Sequence, residues 1–348
     1  MISPRSLSKL FNAQYAILLT SFLAFSVLGC GGSGEKMEGG KIQIEPKDTS
    51  KVSNKVVILF HGLGAPGDLD DLQAELKKDL PKFDPNPNYL VLRFPRNNST
   101  QISTSEQADE MYKQLKEHLN NESLDNPAIC LIGDSHGGLV ALEVYRKYKD
   151  ELNITGIITN HSPLEGVHSL QADQSLVDVF SGAIFDGQDL RKHLMSGMCK
   201  SILDDLTGAG ADPLLNHIST TLSTIQIPVL ILGGEINAQG GIPELVHFAS
   251  EGNKLVVEVV RSALNDMNPS TLGTIEALFQ GITGGKNDGY LSCDTQSGAH
   301  ISVGDNVERY VHAGYHHFYG MIQENSIYSK MLDFINNKVF SNQEKQLI

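Results

Sequence analysis

The residue of this chain best placed to do chemistry is Ser135, set between glycines in Gly133-Asp134-Ser135-His136-Gly137-Gly138. A glycine, serine and glycine at that spacing form a weak signal alone, because a chain rich in Gly and Ser supplies it by chance. The flanks strengthen it. Ala128 to Ile132 (AICLI) is a short apolar run that reads as a buried strand, and GLVALEVYRKYKDEL after the glycines carries Val140, Val144, Tyr145 and Tyr148 at helical spacing. Strand, tight turn and helix in that order make a nucleophile elbow, in which the serine is held in a strained backbone conformation. Bulky residues two positions to either side would clash, so Gly133 and Gly137 are needed there.

A serine hydroxyl is a poor nucleophile at neutral pH, so a working site needs a base to take its proton and an acid to hold that base. With an elbow of this kind the partners follow in the chain order serine, carboxylate, histidine. The acid candidate is Asp288 in the Gly-rich loop GGKNDGYLS, with Asp266 and Glu235 in reserve. Glu235 stands at the more usual distance from the strand IPVLILG but is followed by INAQGG, which lacks apolar residues to seat a catalytic turn. The base candidate is His317 in VHAGYHHFYGM, which precedes the amphipathic stretch IQENSIYSKMLDFI and falls between the last strand and the last helix. His316 and His312 are the alternatives. A metal-binding reading of these histidines lacks a matching Cys or acidic constellation, and neither a metal nor a cofactor is expected.

Acyl transfer passes through an oxyanion that needs preorganised N–H donors. One expected donor is the backbone N–H of His136, at the positive end of its helix. The other is the Leu63 N–H, in the loop His61-Gly62-Leu63-Gly64 after the run VVILF. His61 reads as a structural residue of that loop.

The elements that must position these groups are legible as alternating types. Val56 to Phe60, Tyr89 to Phe94, AICLI, Ile154 to Thr159, Ile227 to Gly233 and Arg309 to Val311 read as strands. Asp68 to Leu80 and SEQADEMYKQLKEHL between them have helical spacing, the latter with an acidic start near Glu106. Alternation of this kind indicates a parallel sheet covered on both faces, the α/β class. KLVVEVVRSALNDM is read as a helix on the spacing of Leu255, Val259, Leu264 and Met267. The connection from Leu164 to Gln226 is long enough to suggest a function of its own.

The 348 residues are 40% hydrophobic and 20% charged, ordinary for a globular protein, with a formal charge of -14. That balance argues against a nucleic-acid surface. The N-terminus carries Arg5 and Lys9 ahead of an apolar core from Ala16 to Leu28, the pattern of a secretory signal too short to span a bilayer comfortably. Val27-Leu28-Gly29-Cys30 resembles a bacterial lipobox, which implies a signal peptide over 1–29 and lipidation of Cys30, with anchoring to a bacterial outer membrane or cell surface. Residues 30–50 read as a flexible tether and 51–348 as the domain. Cys130 reads as a small buried thiol, while export leaves a pairing of Cys199 with Cys293 open.

On ILFHGLG, LIGDSHGGLVAL, IITNHSPLEG, the NDGYLS loop and HHFYGM, the chain resembles the α/β-hydrolase superfamily, within it secreted bacterial lipases and esterases, over about residues 52 to 340. The resemblance implies a mostly parallel sheet with helices on both faces and a helical cap at about 164–226. It also implies cleavage of carboxylic esters, lipid esters favoured, by Ser135, His317 and Asp288. The nearest alternatives are an acyl-thioesterase and a surface lipoprotein that uses the fold for binding. Such lipases often have a histidine where this chain has Asp134, and often bond the cysteine after the NDG loop, Cys293 here, to one in the cap. Some hold calcium through an acidic residue just after the catalytic histidine; Phe318 and Tyr319 stand there, so calcium is not carried over.

Overall fold

The computed structural model describes residues 55–63, 69–83, 89–94, 96, 98–167, 198–209, 213–236, 280, 285–288, 291–316 and 321–341. Among them six strands form one parallel sheet, β1 (Lys55–Phe60), β2 (Tyr89–Phe94), β3 (Ala128–Asp134), β4 (Ile154–Asn160), β5 (Val229–Glu235) and β6 (Val307–Ala313), in the spatial order β2-β1-β3-β4-β5-β6. Chain order and spatial order diverge at β1, beside the strand that carries the serine. The carboxyl ends next to such a switch point are where α/β sheets place their sites.

Each central strand is a continuous apolar run because both of its faces are covered. Val56, Ile58 and Phe60 enter one core with Met111, Leu131, Leu139 and Ile218. Val57 and Leu59 enter the other with Leu76, Ile132, Met331 and Phe334. The first core is closed by α2 (Thr104–Asn121), α3 (His136–Tyr148), α4 (Lys200–Thr207) and α5 (Leu214–Thr224), the second by α1 (Asp70–Asp79) and α7 (Asn325–Phe334). The short α6 (Cys293–Ser297) lies between β5 and β6 in the chain. β6 is one of the two edge strands among the described residues and alternates between half-buried and exposed residues, as one covered face dictates.

Strands β3, β4 and β5 run one or two residues past the apolar stretches that announce them, because Gly133-Asp134, Asn160 and Gly234-Glu235 keep the ladder register with their neighbours. α2 starts at Thr104 behind a capping box: Ser103 Oγ accepts from the Glu106 N–H, and the Glu106 carboxylate accepts from the Ser103 N–H. Within 164–226, α4 and α5 pack Ile202, Leu206, Ile218 and Leu222 into the body of the domain, and residues 168–197 of the expected cap lie outside the described residues. So do 1–54, covering the expected signal and tether, and the expected helix over KLVVEVVRSALNDM. No helix among the described residues is long and apolar enough to cross a membrane.

Whether Cys199 pairs with Cys293 was open in the sequence; in the structure both are free thiols. Cys199 precedes α4, its N–H held by the Thr100 carbonyl and its Sγ 3.0 Å from Ser201 Oγ. The Cys293 thiol instead points at the carbonyl of Gly234 in β5, at 3.3 Å, where burial pushes its pKa up to about 12. Each sulfur is thus held by local partners. Cys130 is fully buried in β3, as its apolar setting requires.

Candidate active site

Ser135 sits between β3 and α3 with φ 51° and ψ −126°, a conformation that side chains rarely adopt. The turn is held by the Ser135 N–H donating to the Asn160 carbonyl at 2.7 Å and the Gly138 N–H donating to the Ser135 carbonyl at 3.1 Å. A Cβ at Gly133 would fall 2.3 Å from the Gly137 carbonyl oxygen, and one at Gly137 would fall 2.2 Å from that of Phe60. Neither position admits any other residue without moving backbone. Asp134 is used locally: its Oδ1 accepts from Asn160 Nδ2 at 2.6 Å, a pair that joins the ends of β3 and β4.

The loop after β1 lies against the serine, a Cβ on Gly62 being 3.2 Å from Ser135 Cβ. Its carbonyls are pinned from behind. Arg96 Nη2 donates to the His61 carbonyl, and the Arg96 N–H donates to His61 Nε2 at 2.7 Å. With Nε2 accepting, the His61 proton is on Nδ1, which donates to the Gly62 carbonyl at 2.5 Å. In a trans peptide the next N–H points the opposite way, so the Leu63 N–H faces away from the His61 ring. Burial, reinforced by the Arg96 charge, pushes His61 down to about 3, so its ring is neutral. His61 is accordingly a structural residue of the loop.

His136, directly after the serine, is buried as well. Arg96 Nη1 lies 3.3 Å from its Nδ1 and Thr104 Oγ1 lies 2.8 Å from its Nε2, while burial and the Arg96 charge hold its ring well below the usual range. Its side chain therefore anchors the start of α3 to the start of α2, leaving its backbone N–H at the helix terminus beside Ser135.

Asp288 is fully buried next to the end of β5, although about fifty residues of chain separate the two. The placement is set by backbone: the Ile236 N–H donates to the Asn287 carbonyl at 2.7 Å, and the Asp288 N–H donates to the Leu291 carbonyl at 3.1 Å. Asp288 Oδ1 accepts from the Leu291 N–H at 2.7 Å. Glu235, the reserve at the end of β5 itself, is salt-bridged to Lys286 at 2.9 Å. Asp266 lies outside the described residues.

His316 is buried in the loop after β6, which crosses the end of β5 where the Gly314 N–H donates to the Glu235 carbonyl at 2.6 Å. His317 lies outside the described residues. His312 is on β6, with its Nδ1 3.3 Å from Ser326 Oγ and its Nε2 3.7 Å from the Glu324 carboxylate. The start of α7 thus engages its ring.

One residue that the sequence reading assigned no role stands in the middle of this set. His161, the first residue beyond β4, is fully buried with φ 46°, and its Nδ1 is 2.7 Å from Asp288 Oδ2. Its position at the carboxyl end of a strand neighbouring the elbow strand was the available signal. Its ring packs on Tyr315 with centroids 4.3 Å apart, and Tyr315 Oη donates to Asn160 Oδ1 at 3.3 Å. The serine turn, the carboxylate and the loop leading to His316 are therefore joined through Asn160, His161 and Tyr315. Among the described residues no cluster of His, Cys, Asp and Glu suited to a metal ion occurs.

No protein-family model matches the chain, and no curated protein matches it in sequence. Solved structures do. An esterase of Pyrococcus furiosus is 13% identical and aligns over 89% of this chain and 96% of its own, with a TM-score of 0.50. A lipase of Bacillus licheniformis is 14% identical over 83% of this chain and 96% of its own, with a TM-score of 0.48. A monoacylglycerol lipase of Paleococcus ferrophilus is 14% identical over 81% of this chain and 94% of its own, with a TM-score of 0.43. At 13% identity the likeness to the Pyrococcus furiosus esterase is one of architecture, and it agrees with the parallel sheet and its covering helices: the chain has the α/β-hydrolase fold.

Proposed function

We propose that the protein is a serine hydrolase that cleaves carboxylic esters, with lipid esters as its substrate class. The observation that carries this reading is the backbone of Ser135, held at φ 51° on a turn whose flanking glycines admit no side chain. A fold stores strain of this kind where it presents a group for reaction. Ser135 Oγ attacks the substrate carbonyl and gives its proton to His317, or to His316 one residue earlier. The Leu63 and His136 N–H groups receive the oxyanion, and Asp288 holds the imidazole. The protonated base then releases the alcohol, and water, activated by the same base, frees the acid and restores the serine.

Support for the acid comes from the buried setting of Asp288 at the end of β5, on the sheet edge that also carries Ser135. Support for the oxyanion donors comes from the pinned carbonyls of His61 and Gly62 and from the placement of His136 at a helix start. We further propose export and anchoring through a lipidated Cys30, on the strength of the Val27-Leu28-Gly29-Cys30 boundary. Incorporation of labelled palmitate that disappears in Cys30→Ser checks the anchor.

A fluorophosphonate probe tests the reaction class. The folded domain should be labelled at Ser135 and Ser135→Ala should not; absence of labelling leaves the binding reading in its place. Nitrophenyl esters and thioesters of increasing chain length then define the substrate, with a long-chain ester optimum expected.

A further inference from the structure

Asp288 has each of its oxygens tied to a different part of the fold, and the ties fix more than its burial. Oδ1 takes the Leu291 N–H at 2.7 Å, within the carboxylate's own turn. Oδ2 lies 2.7 Å from His161 Nδ1, on another strand. His161 Nδ1 is also 2.9 Å from Gln296 Oε1. The Gln296 amide has a fixed sense, since its Oε1 accepts from the Gly234 N–H at 2.8 Å and its Nε2 donates to the carbonyls of Leu291 at 3.0 Å and Gly234 at 3.2 Å. His161 Nδ1 therefore faces two acceptors. It must carry the proton and donate.

The backbone of His161 is fixed with equal care. Its N–H donates to the Leu232 carbonyl of β5 at 3.0 Å, and the preceding carbonyl, of Asn160, accepts the Ser135 N–H. One residue thus carries the position of the serine turn across to the carboxylate. Holding both carboxylate oxygens sets the plane of the group, and a carboxylate with two donors still has lone pairs for a third. In a buried site a charge-assisted bond of this type is strong and directional.

We propose that His161 is a positioning residue for the reaction: its Nδ1–H orients Asp288 so that the remaining lone pairs meet the ring N–H of the catalytic base. The proposal rests on the reading of Asp288 as the acid. His161 transfers no proton and touches no substrate.

Asparagine and glutamine separate this role from a structural one, because Asn places its N–H donor near the position of His Nδ1 and Gln near that of Nε2. Asn also accepts the positive φ of this position better than most residues. On nitrophenyl butyrate, His161→Asn should keep kcat within about threefold of wild type, while His161→Gln should lose about ten- to a hundredfold in kcat with KM little changed, the scale seen when an outer partner of a functional group is removed. Melting temperatures accompany each variant, and His161→Ala replaces the glutamine variant if that one does not fold. Added to Asp288→Asn, either donor-displacing variant should cost no further kcat, since the two residues act as one unit.

Equal kcat in the folded Asn and Gln variants, or losses confined to melting temperature, would overturn the proposal. So would a His161→Asn enzyme as inactive as Ser135→Ala, which would make the ring itself the base. Fluorophosphonate labelling of wild type keeps the two readings apart: an unlabelled wild type removes the hydrolase reading beneath this one, whereas a labelled wild type with indistinguishable variants removes this one alone.

Discussion

Arg96 is fully buried, and no carboxylate lies against it among the described residues. Burial alone lowers its pKa, to about 9, which still leaves it charged at neutral pH. Its bonds explain why the fold tolerates a buried cation: the planar fork reaches the His61 carbonyl, the Gln107 carboxamide oxygen and the His136 ring together. The first and last of these belong to the segments that flank Ser135. A lysine keeps the charge but offers a point donor that cannot span those acceptors. Arg96→Lys is therefore expected to lower kcat about tenfold or more, a fraction of the loss typical of a deleted oxyanion donor, with a smaller change in KM. Steady-state kinetics on a soluble nitrophenyl ester check it; an unchanged kcat would mean that the loop keeps its place without the fork. Nothing in the sequence around Arg96 pointed to this role, because its partners are 11, 35 and 40 residues away in the chain.

At the scale of elements, the apolar runs announced the sheet because every interior strand is covered on both faces, which leaves little room for polar residues except at the carboxyl ends. Those ends lie beside Ser135 and Asp288, and they are where composition fails: Gly133-Asp134, Asn160 and Gly234-Glu235 look like turns and are paired strand. The Gly-rich loop and the chain order singled out Asp288 as a candidate acid, but not its docking at β5, which depends on the backbone bond between Ile236 and Asn287. The start of α2 shows the same division. Ser103 and Glu106 form a capping box that sequence can suggest, whereas the Thr104 N–H donates to Asp205 Oδ2 at 2.7 Å, from α4, and Thr104 Oγ1 meets His136. Two caps at one helix end predict unequal consequences. Ser103→Ala should cost about 1 kcal/mol, the usual value of an N-cap, and leave kcat unchanged. Thr104→Val removes the hydroxyl on which the His136 ring rests and should lower kcat as well as stability. Urea unfolding and ester hydrolysis measured on both variants test that distinction.

For the whole molecule, the buried histidines make stability depend on pH in a definite direction. His61 is pushed down to about 3 from 6.5, His136 is held well below its ordinary value by burial and the Arg96 charge, and burial also lowers His118. Each binds its proton more readily in the unfolded chain than in the folded one. The stabilisation these rings contribute is thus complete above about 6.5 and is lost as pH falls, for His61 down to about 3. The slope is about 1.4 kcal/mol per pH unit for each ring fully titrating in the unfolded chain alone. Paired carboxylates such as Glu106 and Glu308, lowered by Ser103 and by Lys338, add losses of the same sign only at lower pH, near and below the unfolded value of 4.5. His300, raised by Glu165, opposes the trend, but it is exposed and solvent screens its pair. Urea midpoints should therefore fall steadily from pH 7 to pH 5, before the carboxylates enter, with the m-value unchanged. A midpoint that stays level over that interval would mean that the rings behind Ser135 take up protons without unfolding. Their bonds to Arg96 would then have to break, and kcat should fall with the same titration in the folded enzyme.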